Sequence, residues 1–195
     1  MFGLPKRFVL FDLECTAWEG AAARGWSGPG EHRELVQIAA ALVETKNFTE
    51  LSVFKTLVRP RINPLLSKYF IDLTHITQEE VDKRGLDFAD VLFDFYAWCE
   101  EYDLYCFDSR TDDSRLFDRD VLMENCGLCG LAFPFNSGRF HNINEIFYQH
   151  GYIVKQSGAS PEVFGIKIPA RPHDAMNDVD GLIVSLNALR ERIKK

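Results

Sequence analysis

The sequence predicts an α/β domain in which one mixed β-sheet is flanked by α-helices. The apolar run Phe8-Val-Leu-Phe11 is unbroken, as in a strand covered on both faces. Further strand-like runs follow closely, and the second half turns to apolar residues at helical spacing, so strands come first and helices gather around them. The size agrees: 195 residues, 46% hydrophobic with 16 Phe, suit one domain, 1–195, with a substantial core.

The first strand, Arg7-Phe-Val-Leu-Phe-Asp-Leu-Glu-Cys15, is apolar except for Asp12 and Glu14. Residues two apart leave a strand on the same side, so these carboxylates stand together. Two like charges in partly dry surroundings are costly unless cations neutralise them. A frayed strand end with both acids solvated is the plain alternative. Residues 16–30 are Gly-rich, hold Pro29, and read as a loop. Its Trp18 lies close to the acid pair and is a candidate for stacking on a base; packing of Trp18 and Trp26 onto the body is the competing reading.

Residues 34–43 and 51–58 read as two strands joined around Lys46 and Asn47, which makes them antiparallel neighbours. Pro60 and Pro64 end the second. Residues 65–73 form a helical or irregular connector, and Thr77 three before Glu80 makes a capping box for a short helix. Phe88, Val91, Leu92, Phe95 and Cys99 predict an amphipathic helix over 87–101, and 104–107 a short fourth strand. Helices are predicted over 118–128, ending by Gly130, and over 142–152, with Ile143, Ile146 and Phe147 inward and Gly151 past its end. The last runs from near Asp174 toward Lys194.

The net charge of −7 speaks against coating duplex DNA through many phosphate contacts. It does not exclude a nucleic-acid enzyme, because an acidic cluster filled by divalent metal presents a neutral or positive face to phosphate. Five cysteines, an odd number, fit a reducing compartment. No long apolar run follows the N-terminus, so a cytoplasmic protein without a membrane span is expected. Cys126 and Cys129 form a CxxC with no second pair at zinc-site spacing, which disfavours zinc or redox chemistry there.

Asp118 precedes Val121 and Leu122 by three and four residues, on the apolar side of its helix. Asp178 lies three after Ala175 and four before Leu182, again on the inner stripe. Each could be an acid satisfied at a helix start. With Asp12 and Glu14 they make four inward acids, the hard oxygen ligands that Mg²⁺ and Mn²⁺ prefer. Two such ions about 3.5–4 Å apart serve in-line phosphoryl displacement, which points to phosphodiester hydrolysis. His173, at the end of the Pro-containing loop 168–173, suits proton transfer from water; a solvated loop histidine is the alternative.

Phe11-Asp-Leu-Glu14 resembles the first motif of the DEDDh 3′→5′ exonucleases of the RNase H-like fold. Phe117-Asp-Arg-Asp-Val-Leu122 looks like their second motif, and His173-Asp-Ala-Met-Asn-Asp178 fits the third, H-x-A-x-x-D. Glu34-Leu-Val-Gln-Ile-Ala39, Val58-Arg-Pro-Arg-Ile-Asn-Pro64 and Leu73-Thr-His-Ile-Thr-Gln-Glu-Glu-Val-Asp82 are similar to the branch of the enhanced-RNA-interference and histone-messenger stem-loop exonucleases. There are departures. His75 stands where that family has glycine, a change bearing on the pocket for the terminal nucleotide. Asp108, Asp112 and Asp113 compete with Asp118 as the acid of the second motif; the order of Leu122, Glu124-Asn-Cys126 and Phe133-Pro-Phe135 favours Asp118.

The resemblance implies an RNase H-like, exonuclease-type sheet and two divalent ions, Mg²⁺ or Mn²⁺. Asp12, Glu14 and Asp178 would hold one ion and Asp12 would bridge to the second. Asp118 would help through water, and His173 would be the general base. Glu14 would also contact the terminal 3′-hydroxyl. The implied reaction removes nucleoside monophosphates from single-stranded nucleic-acid 3′ ends, RNA ahead of DNA. A non-catalytic end-binding or regulatory protein on the same fold, or a polymerase proofreading accessory, are the alternatives. The sequence names no protein partner.

Overall fold

A computed structural model describes residues 2–110, 115–167 and 173–194. Five strands, β1 (Arg7–Cys15), β2 (Leu35–Glu44), β3 (Thr49–Leu57), β4 (Leu104–Cys106) and β5 (Phe140–Asn142), form one sheet in the order β3-β2-β1-β4-β5. The first three strands are antiparallel, whereas β4 runs parallel to β1 and β5 parallel to β4. The helices are α1 (Lys68–Thr74), α2 (Gln78–Arg84), α3 (Phe88–Cys99), α4 (Phe117–Leu128), α5 (Asn144–Gln149) and α6 (Ala175–Ile193).

The central strand β1 separates two apolar layers, which is why its sequence does not alternate with polar residues. Val9, Phe11 and Leu13 pack with Val91, Leu92 and Phe95 of α3 and Val121 and Leu122 of α4. Phe8 and Leu10 face the other way, with Ala41 and Val43 of β2, toward Val179, Leu182, Leu186 and Leu189 of α6. Asp12 and Glu14 continue this second row toward the C-terminal end of β1. The row is apolar under the body of α6 and acidic near the helix start.

Local signals set the helix ends. Thr77 and Glu80 form the reciprocal capping box at α2. Asp87 caps α3 through the amide of Ala89 at 2.9 Å. The turn after β3 is held by the buried Glu34 carboxylate, which accepts the amides of Arg61, Ile62 and Asn63 at 2.7, 2.8 and 2.5 Å. Among the described residues no helix is long and apolar enough to cross a membrane.

The segment predicted as a helix over 142–152 is corrected. Its first residue ends β5, a strand the apolar pattern did not mark, and α5 is short. The cause is a polar knot. Asn142 Oδ1 accepts the amides of Asp108 and Asn144, while Asn144 Nδ2 donates to the carbonyls of Asp108 and Val154. These bonds tie the chain to the end of β4 and hold Asn142 in an extended register.

Candidate active site

Asp12 and Glu14 emerge beside each other from β1, and Asp178 comes from the first turn of α6. These three offer carboxylate oxygens that all lie within 4.8 Å of one another. Asp118, from the first turn of α4, lines the same cavity but is outside that three-oxygen group. His173, immediately before α6, lines it as well. The cavity measures about 850 Å³, and its wall also includes Leu13, Phe107, Lys155, Ser157 and Gly158. All four acids are nearly out of solvent, with exposures of 8% for Asp12, 9% for Glu14, 4% for Asp118 and 5% for Asp178.

Burial is the main reason these carboxyls resist ionisation. It pushes Asp12 well above the usual carboxylate range, and the charges of Asp118, Asp178 and Glu14 push it further. Glu14 is raised in the same way by burial, then by Asp178 and Asp118, and Asp118 by burial, then by Asp108 and Asp178. Asp178 is also raised by burial, but a hydrogen bond from Ser157 and the proximity of His173 work against the shift.

Asp108 sits in the same wall under different circumstances. Its carboxylate receives Arg110 Nε at 2.9 Å and Arg110 Nη2 at 2.6 Å, and the amide of Phe117 at 3.3 Å. Burial opposes its ionisation, yet these donors outweigh burial and hold the carboxyl below its ordinary value. The Asp108 oxygens are thus occupied from within the chain. Asp112 and Asp113, the other competitors, lie outside the described residues, as does most of the loop 168–173.

The start of α6 is built to carry both His173 and Asp178. Asp174 is the N-cap, its Oδ1 accepting the amides of Met176 and Asn177 at 3.1 and 3.3 Å. Lys55 of β3 binds the Asp174 carboxylate at 3.0 Å. His173 itself takes a left-handed conformation, φ 64°, so the chain turns sharply into the helix. Ser157 and Gly158, from the loop before a short 3₁₀ turn at Ser160–Phe164, close over Asp178. Sequence reasoning passed over both. A glycine in a Ser-Gly-Ala stretch reads as an ordinary turn, and only its distant partner distinguishes it.

Trp18 is half-buried and His75 is exposed, and neither is among the residues lining the acidic cavity. His75 closes α1 in the left-handed region, φ 61°, a conformation that suits glycine and explains the backbone demand at this position. Trp26 is a packing residue: its Nε1 donates to the Thr16 carbonyl at 2.9 Å, its ring meets Phe117, and Arg33 lies over both rings. The cysteines among the described residues are all free. Burial, with help from Cys129, pushes the Cys126 thiol up to about 11, so it is protonated at neutral pH.

The residues fit divalent cations. The donor set is all carboxylate oxygen, the preference of hard ions. Asp178 Oδ1 is buried without a hydrogen-bond partner. Asp12, Glu14 and Asp118 are each raised by burial and by neighbouring carboxylates, a repulsion that a bound cation relieves.

Comparison with known proteins agrees with this architecture. The family model described as Exonuclease, RNase_T, matches residues 9–123. The 3′-5′ exoribonuclease 1 of Rattus norvegicus is 29% identical over 179 residues, covering 87% of this chain and 48% of its own. The 3′-5′ exonuclease eri1 of Schizosaccharomyces pombe is 34% identical over 97 residues, covering 50% of this chain and 30% of its own. The chain spans about half the length of the first curated relatives it matches. Among solved structures, the nuclease domain of 3′hExo, a DEDDh family member bound to rAMP, superposes with a TM-score of 0.76 at 24% identity, covering 95% of this chain and 92% of that one. A structure of exonuclease I gives 0.71 at 15%, covering 96% and 41%. The fold is therefore RNase H-like. The chain belongs to the Exonuclease family.

Proposed function

We propose that residues 1–195 act as one exonuclease unit, a metal-dependent hydrolase that shortens single-stranded nucleic acid from its 3′ end and prefers RNA to DNA. The observation that carries this reading is the meeting of Asp12, Glu14 and Asp178 oxygens within 4.8 Å in a cavity that His173 also lines. Relatives named as exoribonucleases support RNA as the substrate. Two ions, Mg²⁺ or Mn²⁺, held by Asp12, Glu14 and Asp178 with Asp118 nearby, would neutralise the carboxylates and stabilise the attacking and leaving oxygens of the phosphodiester.

The chain's own groups do the rest. His173 takes the proton from the attacking water at an imidazole nitrogen. The water oxygen bonds to phosphorus, the bond to the 3′-oxygen of the preceding nucleotide breaks, that oxygen takes a proton from solvent to become the new 3′-hydroxyl, and a nucleoside 5′-monophosphate leaves. Glu14 would contact a terminal 3′-hydroxyl, which would make a free end a requirement. Phe107 and Phe117 give the cavity an apolar wall suited to a base or ribose. The free thiols fit a reducing, cytoplasmic setting.

The test is product identity. Single-stranded RNA labelled at its 3′ end should release labelled mononucleotide with Mg²⁺ or Mn²⁺ and none in EDTA. Release of longer fragments, or equal release in EDTA, would contradict the reading.

A further inference from the structure

The first helical amides of α6 need acceptors, because no preceding turn supplies them. Asp174 takes two of them through its side chain, and its carbonyl accepts the amide of Asp178 at 3.1 Å. The remaining amide, that of Ala175, is taken by a strand. Gln37 Oε1 of β2 accepts it at 2.9 Å across 138 residues of sequence. Gln37 is 3% exposed and Ala175 is fully buried, so water cannot substitute for this bond.

Gln37 is also the cross-strand partner of Glu14 in the β1–β2 register. Directly opposed side chains in a sheet leave on the same face. One residue thus touches both halves of the acidic site: its strand position is fixed beside Glu14, and its side chain fixes the start of the helix that carries Asp178. His173 lies two residues before the bonded amide and Asp178 three after it. The Lys55–Asp174 pair holds the same corner, but it is solvated, and exposed pairs contribute little.

We propose that Gln37 is a positioning residue that sets the metal-site geometry by locking the register of α6 against β1 and β2. A slide of the helix by one residue is about 1.5 Å along its axis, large against the 4.8 Å span of the three oxygens. Loss of the bond frees that slide and loosens the site without removing a ligand. The inference rests on the metal-site reading proposed above.

The bond can be cut from either side. Gln37→Met removes the acceptor at similar size. Ala175→Pro removes the donor at the first helical position, where proline is well tolerated. Asp174, at φ −106° and ψ 117°, already has the extended backbone required before proline. Thermal unfolding of each purified protein is followed across a Mn²⁺ titration, starting from EDTA. The wild type should be stabilised by Mn²⁺, and each variant should need about 10-fold more Mn²⁺ or beyond for half of its stabilisation. The double variant should be no worse than the weaker single one, since both cut the same bond. Variants that melt earlier in EDTA yet keep the wild-type Mn²⁺ midpoint would reduce Gln37 to a packing role and overturn the proposal. A wild type that gains nothing from Mn²⁺ would overturn the metal-site reading itself, and this inference with it. If Gln37→Met fails to fold, Ala175→Pro decides.

Discussion

The Ser157 hydroxyl donates to Asp178 Oδ2 at 2.7 Å, and the residue after it, Gly158, lies so near that a Cβ there would meet Asp178 Oδ1 at 2.5 Å. One oxygen of the carboxylate is thereby oriented by a hydrogen bond and the other is pressed against a backbone that only glycine can bring so close. Asp178 is aimed as much by this loop as by its own helix.

Gly158→Ala should therefore harm the site more than Ser157→Ala. The added methyl must push Asp178 or the loop aside, at a cost of about 1–3 kcal/mol typical of overpacking. Removing the hydroxyl only forfeits one charge-assisted hydrogen bond. Steady-state cleavage of a short RNA, with unfolding curves for both variants, checks the order; equal activity of Gly158→Ala and wild type would contradict it.

Asp12→Asn should abolish cleavage and, without metal, stabilise the fold. Asp12 is buried among Glu14, Asp118 and Asp178, so neutralising it relieves repulsion on the order of 1 kcal/mol or more. The readout is the melting temperature in EDTA. A variant that melts lower than wild type would show that the acids are not in conflict.

The raised carboxyls also fix the sign of a pH effect. Asp12, Glu14 and Asp118 keep their protons above their ordinary values of 3.8 and 4.5, so the metal-free native state binds more protons than the unfolded chain. Stability contributed by these groups then falls as pH rises from about 4 through their raised values. In Asp108 and Asp174 burial is outweighed by Arg110 and Lys55, and the stability they add is lost only as pH falls below the ordinary 3.8. Melting curves from about pH 5 to pH 8 in EDTA should thus decline, and Mn²⁺ should restore most at the upper end. A stabilisation by Mn²⁺ that is larger at the lower pH would contradict this.

Glu34→Gln should lower stability by about 1–3 kcal/mol, because its carboxylate accepts three consecutive backbone amides that one amide oxygen cannot serve equally. Urea unfolding measures it; an unchanged midpoint would mean the turn is held by other contacts.

The parts of the fold written in local pattern were legible in the sequence. Asp12 and Glu14 stand out because i and i+2 share a strand face, and the Thr77–Glu80 box and the stripes of α3 and α6 follow from spacing alone. The remainder depends on partners far away in sequence. β5 is a strand of three residues whose extended form comes from pairing with β4 and from the Asn142 side chain, so the apolar pattern did not mark it and the predicted helix began at its last residue. Ser157, Gly158 and Gln37 have unremarkable neighbours in sequence, and their contacts with Asp178 and Ala175 exist only once α6 is docked.

The most direct measurement is denaturing electrophoresis of 5′-labelled single-stranded RNA incubated with the protein and Mg²⁺ or Mn²⁺. The wild type should produce a ladder that shortens one nucleotide at a time from the 3′ end, and His173→Ala should slow it by about 10²–10⁴-fold, the range for a lost general base. No shortening of RNA or matched DNA with either ion, or an undiminished ladder from His173→Ala, would contradict the assignment.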